Sequence, residues 1–298
     1  MLYLMKRAWL AIVVLAAVVL GGVLLVASRQ DVDSQTDKLQ LAASYYPLYE
    51  FASRVGGDRI QATTMTPSGV EPHDYEPSAR SLARLLGADV FVYNGGSFEP
   101  WVPGFLHDYT HTAVKAGQGI GVTRQDPHFW LDPILAQQMV VNIRDGLIRA
   151  DPASAEYYSK QAAQYNAKLA QIDVDFKNGL ASCQQHTIVT SHDAFGYVGR
   201  RYGFTIEPIA GISPEQEPSP GRLAALAELV QKKGIRYVFF ESLVSPRLAD
   251  TIAKETGAKT LVLDPLEGIS DKDQAQGKDY ISVQRENLAR LRQALACD

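Results

Sequence analysis

Residues Asp151–Cys183 read DPASAEYYSKQAAQYNAKLAQIDVDFKNGLASC, and between Ala153 and Asn178 they contain neither glycine nor proline. Tyr157, Ala162, Tyr165, Leu169, Ile172 and Phe176 recur close to the helical period, so the stretch predicts one long helix with an apolar stripe. About 28 residues at roughly 1.5 Å each make a rod near 42 Å, longer than a domain of this size needs across its core. The natural task of such a rod is to connect two lobes.

On either side of it, short apolar runs alternate with helical patterns. Upstream, LQLAASYY precedes PLYEFASRVGG, IQATTMT precedes SARSLARLLGA, DVFVYNGG precedes a segment beginning EPWVPGFL, and a further helix follows Asp132-Pro133 as far as about Ala150. Downstream come HTIVTS, a helix from Asp193 to Tyr202, FTIEPIA, a helix from Gly221 to Lys233, IRYVFFE, PRLADTIAKETG, KTLVLDP and a last helix from about Ile281. Strand followed by helix, repeated, implies parallel sheets with helices on both faces. The expected fold is therefore α/β: an N-terminal lobe over 39–150, the connecting helix over 151–183 and a C-terminal lobe over 184–298. No repeat between the lobes is legible in the sequence.

The first thirty residues are of another kind. Ala8–Ser28 carries no charge, has the length of one membrane crossing, and is preceded by Lys6 and Arg7 and followed by Asp31 and Asp33. The positive-inside rule puts the N-terminus in the cytoplasm and everything downstream outside. An uncleaved anchor is the preferred reading of residues 1–30, with a cleaved signal peptide ending near Val26-Ala27-Ser28 as the alternative. Residues 31–38 then form a polar, flexible linker.

Over the whole chain composition is that of an ordinary folded protein, with 46% hydrophobic and 21% charged residues. A net charge of −4 and the lack of any Lys/Arg run interleaved with aromatics argue against nucleic acid as a partner. The two cysteines, Cys183 and Cys297, stand in an exported chain, where an even pair commonly forms a disulfide. Two buried thiols or half of a metal site are the alternatives, although the spacing is not that of a zinc finger.

In open α/β sheets ligands bind beyond the carboxyl ends of the strands. Four polar residues fall there. His73 lies in SGVEPHDYEPS after IQATTMT, His128 in DPHFWLDP before a helix, His192 in TSHDAFGY directly after HTIVT, and Asp264 in LDPLEG directly after KTLVL. Three imidazole nitrogens with one carboxylate oxygen complete a tetrahedral shell for Zn²⁺. Each residue alone is weak support, because a loop histidine is usually solvated or hydrogen bonded, but His73, His128 and Asp264 each stand beside a proline that stiffens the loop, and His192 stands directly at a strand end.

The strings EPHDYEPS, DPHFWLDP, TSHDAFGY with RRYGF after it, and FFESLVSPRLADTIAKETGAKTLVLDPLEG resemble the zinc- and manganese-binding solute receptors of ABC importers, the cluster A-I family. The likeness runs from about Leu39 to the C-terminus. It implies two α/β lobes joined by one rigid helix, with the metal between them and His73, His128, His192 and Asp264 at the four ligand positions. Manganese-selective members typically carry glutamate at the third position, so His192 implies Zn²⁺ in preference to Mn²⁺. The donor chemistry agrees, since Zn²⁺ favours imidazole and four-coordination while Mn²⁺ prefers oxygen and a larger shell. Two features depart from the family pattern: the segment KAGQGIGVTRQDP lacks a histidine-rich loop, and Ser28 stands where many relatives carry a lipidated cysteine.

Other residues read as supporting. Glu241, at the end of IRYVFFE, is the chief rival oxygen ligand or, preferably, a hydrogen-bonding group beside the site, where ligating histidines commonly donate their other N–H to a carboxylate or carbonyl, with Trp130 and Asp193 near the site as well. His107 and His111, four apart, read as a surface face, and His186 as structural. The expected function is extracytoplasmic capture of Zn²⁺ and delivery to an ABC permease by a monomeric protein that catalyses nothing. A manganese or iron receptor of the same transporter type, a metal-stabilised surface adhesin and a zinc hydrolase are the competing readings. The expected place is the outer face of the membrane, or the periplasm or medium if the signal is cleaved.

Overall fold

In this computed structural model residues 38–96, 98–121 and 126–298 are described. The apolar segment Ala8–Ser28 and the linker after it lie outside the described residues. Among the described residues no helix is long and apolar enough to cross a membrane.

Strands β1 (Leu39–Ala43), β2 (Ile60–Thr64), β3 (Val90–Tyr93) and β4 (Thr112–Lys115) pair in parallel in the order β2-β1-β3-β4, with Leu41 opposite both Ala62 and Val90. Helices α1 (Tyr46–Gly56), α2 (Ala79–Leu86), α3 (Val102–Leu106) and α4 (Pro133–Ala150) cover the sheet. Runs such as VFVY, buried almost throughout, suit strands covered on both faces.

After α5 (Ala155–Gly179) the second lobe repeats the plan. Strands β5 (Thr187–Thr190), β6 (Thr205–Pro208), β7 (Tyr237–Phe240) and β8 (Lys259–Val262) pair in parallel in the order β6-β5-β7-β8. They carry α6 (Gly196–Tyr202), α7 (Pro220–Lys233), α8 (Arg247–Thr256), α9 (Asp271–Ala275) and α10 (Tyr280–Leu295). The two sheets thus share one strand order despite having no legible sequence repeat. In each, crossovers leave the first strand toward both sides, which opens a crevice at the carboxyl ends of the middle strands.

Helix α5 has 25 residues, a rod of about 37 Å. Tyr158, Ala162, Tyr165, Leu169, Ile172 and Phe176 are buried along it, at alternating steps of four and three. The first apolar position is therefore Tyr158 and not Tyr157. The Tyr157 ring lies half-buried on the flank, its hydroxyl accepting from the Asp58 N–H at 3.3 Å. The buried stripe packs on α1 and α4 of the first lobe and on α10 of the second. One apolar core consequently runs from Leu41 to Leu295 through both lobes.

Polar contacts reinforce that shared core. Trp130 Nε1 donates to the Pro265 carbonyl at 2.8 Å, Gln284 Nε2 to the Leu131 carbonyl at 3.1 Å, and the Tyr280 hydroxyl to the Trp130 carbonyl. Arg201 Nε meets the buried Asp132 carboxylate at 2.6 Å. The short loop Phe129–Asp132 is thereby fastened to the far lobe at four places.

Two local expectations change. The helix expected from Asp193 begins at Gly196, because the Asp193 N–H donates to the Gly211 carbonyl at 2.9 Å and the chain stays irregular through the site. His107 and His111 do not share a helical face: α3 ends at Leu106, and His111 stands just before β4, its ring against Tyr109.

Cys183 and Cys297 form a disulfide, inside a short antiparallel contact in which the Gln185 N–H donates to the Leu295 carbonyl at 2.9 Å. It pins the exit of α5 to the end of α10 and closes a loop of 114 residues. Chain-entropy arguments make a bridge of that span worth about 2–4 kcal/mol in practice. Denaturant unfolding of Cys183→Ser/Cys297→Ser is therefore expected to show a loss of roughly that size; an unchanged midpoint would remove the bridge from the account of stability.

Candidate metal centre

Four loops bring their side chains to one point between the lobes. His73 comes from the irregular segment after β2, held by its own N–H donating to Glu71 Oε1 at 3.0 Å. His128 follows the segment after β4, His192 stands two residues past β5, and Glu267 lies in the turn after β8. Glu241, one residue past β7, stands behind them.

The convergence is close. His73 Nε2 lies 3.1 Å from His128 Nε2 and 3.1 Å from Glu267 Oε1. His128 Nε2 lies 3.2 Å from His192 Nε2, and Glu267 Oε1 is 3.3 Å from both of these nitrogens. For a tetrahedral ion with bonds of about 2.0 Å, geometry requires ligand atoms roughly 3.3 Å apart. Five of the six edges of such a tetrahedron are thus already present. His128 and His192 are fully buried, and Glu267 Oε2 is buried with no hydrogen-bond partner among the described residues.

Outer groups set the direction of the lone pairs. His128 Nδ1 is 2.8 Å from Asp126 Oδ1, and His192 Nδ1 is 2.7 Å from Glu241 Oε1. Ionised carboxylates only accept, so each Nδ1 carries the proton and each Nε2 turns a lone pair inward. Trp130 packs against the His128 ring at 5.1 Å, and Phe98 against the His73 ring at 4.7 Å, shielding the centre from water.

Charge in the metal-free site follows from burial and these neighbours. Burial pushes the His192 imidazole down, but the Glu241 and Glu267 carboxylates outweigh it and hold the group well above the ordinary histidine range. His128 is likewise pushed down by burial and lifted above its usual value by hydrogen bonds to Asp126 and Glu267. For His73 burial wins, and its affinity for a proton is lowered despite Glu267. Burial would raise Glu267, yet the imidazoles, His192 first, hold its carboxyl well below the usual range. Burial, with the nearby Glu267 charge, pushes Glu71 up to about 9.

The sequence expectations meet this geometry unevenly. His73, His128 and His192 are brought together, with Glu241 and Trp130 beside them. Asp264 is not part of the group of four that can share an ion, and its place is taken by Glu267. The Asp264 carboxylate is engaged elsewhere: Oδ2 accepts from Ser242 Oγ at 2.6 Å and Oδ1 from the Leu266 N–H at 2.7 Å. It folds the turn that aims Glu267, in which Leu266 takes a left-handed backbone (φ 59°) at a buried position. Asp193 borders a small cavity with Asp126 and Arg200, while the carboxylates on the Nδ1 atoms of His128 and His192 are Asp126 and Glu241. Asp126, Glu71 and Glu267 were missed by strand-end reasoning. The available signals were an acid two residues before each of His73 and His128, and a second acid in LDPLEG.

Comparison with known proteins places this arrangement. A family model described as "Zinc-uptake complex component A periplasmic" matches residues 41–294. The high-affinity zinc uptake system protein ZnuA of Bacillus subtilis is 36% identical over 291 residues, covering 90% of this chain and 91% of that one. The zinc-binding lipoprotein AdcA of Streptococcus pneumoniae is 38% identical over 278 residues, but this chain spans only 56% of its length. Among solved structures, the Zn(II)-bound ZnuA-like domain of that AdcA superposes with a TM-score of 0.79 at 40% identity, covering 87% of this chain and 99% of that domain. The laminin-binding protein Lmb of Streptococcus agalactiae superposes with a TM-score of 0.81 at 33% identity, covering 86% and 99%. With the family match spanning nearly all the described residues and the same two-lobed α/β fold, the chain belongs to the ZnuA family of zinc-uptake complex components.

Proposed function

We propose that this protein captures Zn²⁺ on the outer side of the cytoplasmic membrane and delivers it to the permease of an ABC importer. The observation that carries the reading is the near-complete tetrahedron of three inward imidazole nitrogens and Glu267 Oε1, five of whose six separations are 3.1–3.3 Å. Three nitrogens and one oxygen suit Zn²⁺ better than Mn²⁺, which prefers more oxygen donors and a wider shell. Iron falls to the same donor argument in weaker form. Four protein ligands leave no open position for a reacting water, so the ion is cargo and the protein is not an enzyme.

Zinc selectivity rests on His192, buried and oriented by Glu241, at the position where an oxygen donor would favour manganese. In this reading the protein works as a monomer beside the permease, with the segment Ala8–Ser28 as its tether if uncleaved and as an export signal if cleaved. The adhesin reading has one observation in its favour, the likeness to the Streptococcus agalactiae protein whose structure is described as bifunctional, with adhesin and metal-transporting activity. A metal site folded between lobes serves either role.

Calorimetric titration of the full chain with Zn²⁺ and Mn²⁺ tests the proposal. One zinc site is expected, with zinc strongly preferred over manganese and His192→Ala weakening zinc at least a hundredfold; tight manganese binding indifferent to His192→Ala would sink it. In the same assay Glu267→Ala should weaken zinc by about a hundredfold or more and Asp264→Asn by about tenfold, since an outer group acts only through the ligand it positions. The reverse order would return the ligand role to Asp264.

The pH dependence follows from the free-state charges. Zn²⁺ binds neutral imidazole, while His192 and His128 hold protons to higher pH than ordinary histidines. Below those raised values the ion must expel protons, so affinity should rise with pH through and above the ordinary histidine range. Titrations in buffers of different ionisation enthalpy are expected to show proton release near neutrality; heats independent of buffer would contradict it.

A further inference from the structure

One half-buried acid beside the centre has an oxygen that the arrangement above does not use. Glu71 sits in the segment between β2 and α2, two residues before His73, and its Oε1 accepts the His73 N–H at 3.0 Å. Its other oxygen, Oε2, is buried and has no hydrogen-bond partner among the described residues. The carboxyl thus sits against the backbone of one ligand, His73, without belonging to the group of four. A buried polar atom left without a partner is costly to the fold.

Exposure says on which side the shell is open. The His128 and His192 side chains are 0% exposed and Glu267 1%, whereas His73 is 7% exposed. Glu71, on the same loop, is half-buried. The shell is therefore sealed on three sides, and an ion reaches or leaves it past the loop that carries Glu71 and His73. A hydrated Zn²⁺ cannot shed its waters at once into a dry pocket; it exchanges them one at a time for protein donors.

We propose that Glu71 is a transit ligand, which binds zinc through Oε2 during entry and exit and passes it to His73 and Glu267. On entry a water leaves the ion as Oε2 coordinates, and any proton on the Glu71 carboxyl departs to solvent. Glu71 then leaves as the His73 nitrogen and the Glu267 oxygen take its place, and release reverses the order. The inference rests on the zinc-binding reading but makes a separate claim, about rates and not about the final shell.

The test is stopped-flow measurement on the full chain, following zinc association by tryptophan fluorescence and release into excess chelator, with Kd from competition. In Glu71→Gln, which keeps an oxygen to accept the His73 N–H, association and release should both slow about tenfold while Kd stays within threefold. Glu76→Gln, which removes an exposed charge from the same loop, should leave both rates unchanged. Glu71→Asp, which keeps the carboxylate, should retain most of the speed and serves if the glutamine variant folds poorly. Unchanged rates in Glu71→Gln overturn the proposal. So does a weakened Kd at undiminished association, which would make Glu71 only a support for His73, and so does equal slowing by Glu76→Gln, which would reduce it to general electrostatic attraction. Failure of the wild type to bind zinc would instead remove the underlying function.

Discussion

Three imidazole nitrogens and a carboxylate oxygen, five of their six separations 3.1–3.3 Å, in a dry pocket are an unfavourable arrangement until a cation joins them. Without the ion, lone pairs face one another and Glu267 is ionised in a region that desolvates it. Protons on the imidazoles relieve this, which is why His192 and His128 hold theirs more tightly than free histidines. The same carboxylates that lift those values, Glu241 and Asp126, turn the inward nitrogens toward the ion. Proton and metal are thus alternative occupants of one electrostatic site, and the rest of the fold keeps the four ligands from drifting apart.

The scaffold does this by joining the lobes over much more than a hinge. The buried stripe of α5 packs on helices of both lobes, and the core it belongs to is continuous. The loop Phe129–Asp132, directly after His128, is tied to the second lobe through Pro265, Tyr280, Gln284 and Arg201. Pro265 belongs to the turn that carries Glu267, so a single hydrogen bond from Trp130 links the loops that hold ligands from opposite lobes. Displacing one loop displaces the other, a condition under which a site can be opened as a unit.

The Glu267 turn holds one of the two left-handed non-glycine residues among those described. Leu266 takes a left-handed conformation that a leucine rarely adopts, held there by the Asp264 carboxylate on its N–H and by burial of its side chain. Asp264 is in turn gripped by Ser242 and, through its main chain, by Asn287. An acid at a strand end was thus used to shape a turn, and the acid three residues later was left to meet the ion.

Much of the architecture was readable without coordinates because it rests on local periodicity. A run lacking glycine and proline with an apolar stripe makes a long helix whatever surrounds it, and alternating strands and helices make parallel sheets. His192, directly after a strand, could be placed at the ligand end of its sheet by the same rule. His73 and His128, in longer loops, became candidates through chemistry and resemblance more than through position. Tertiary structure decided what local rules do not reach: whether Tyr157 or Tyr158 faces the core, and which carboxylate closes the shell. Asp264 and Glu267 are alike in type and stand three residues apart in one proline turn. Only the hydrogen bonds from Ser242 and the Leu266 N–H turn the first away, and the left-handed step at Leu266 swings the second in. Those partners come from another strand end and from a backbone angle, neither of which sequence spacing encodes.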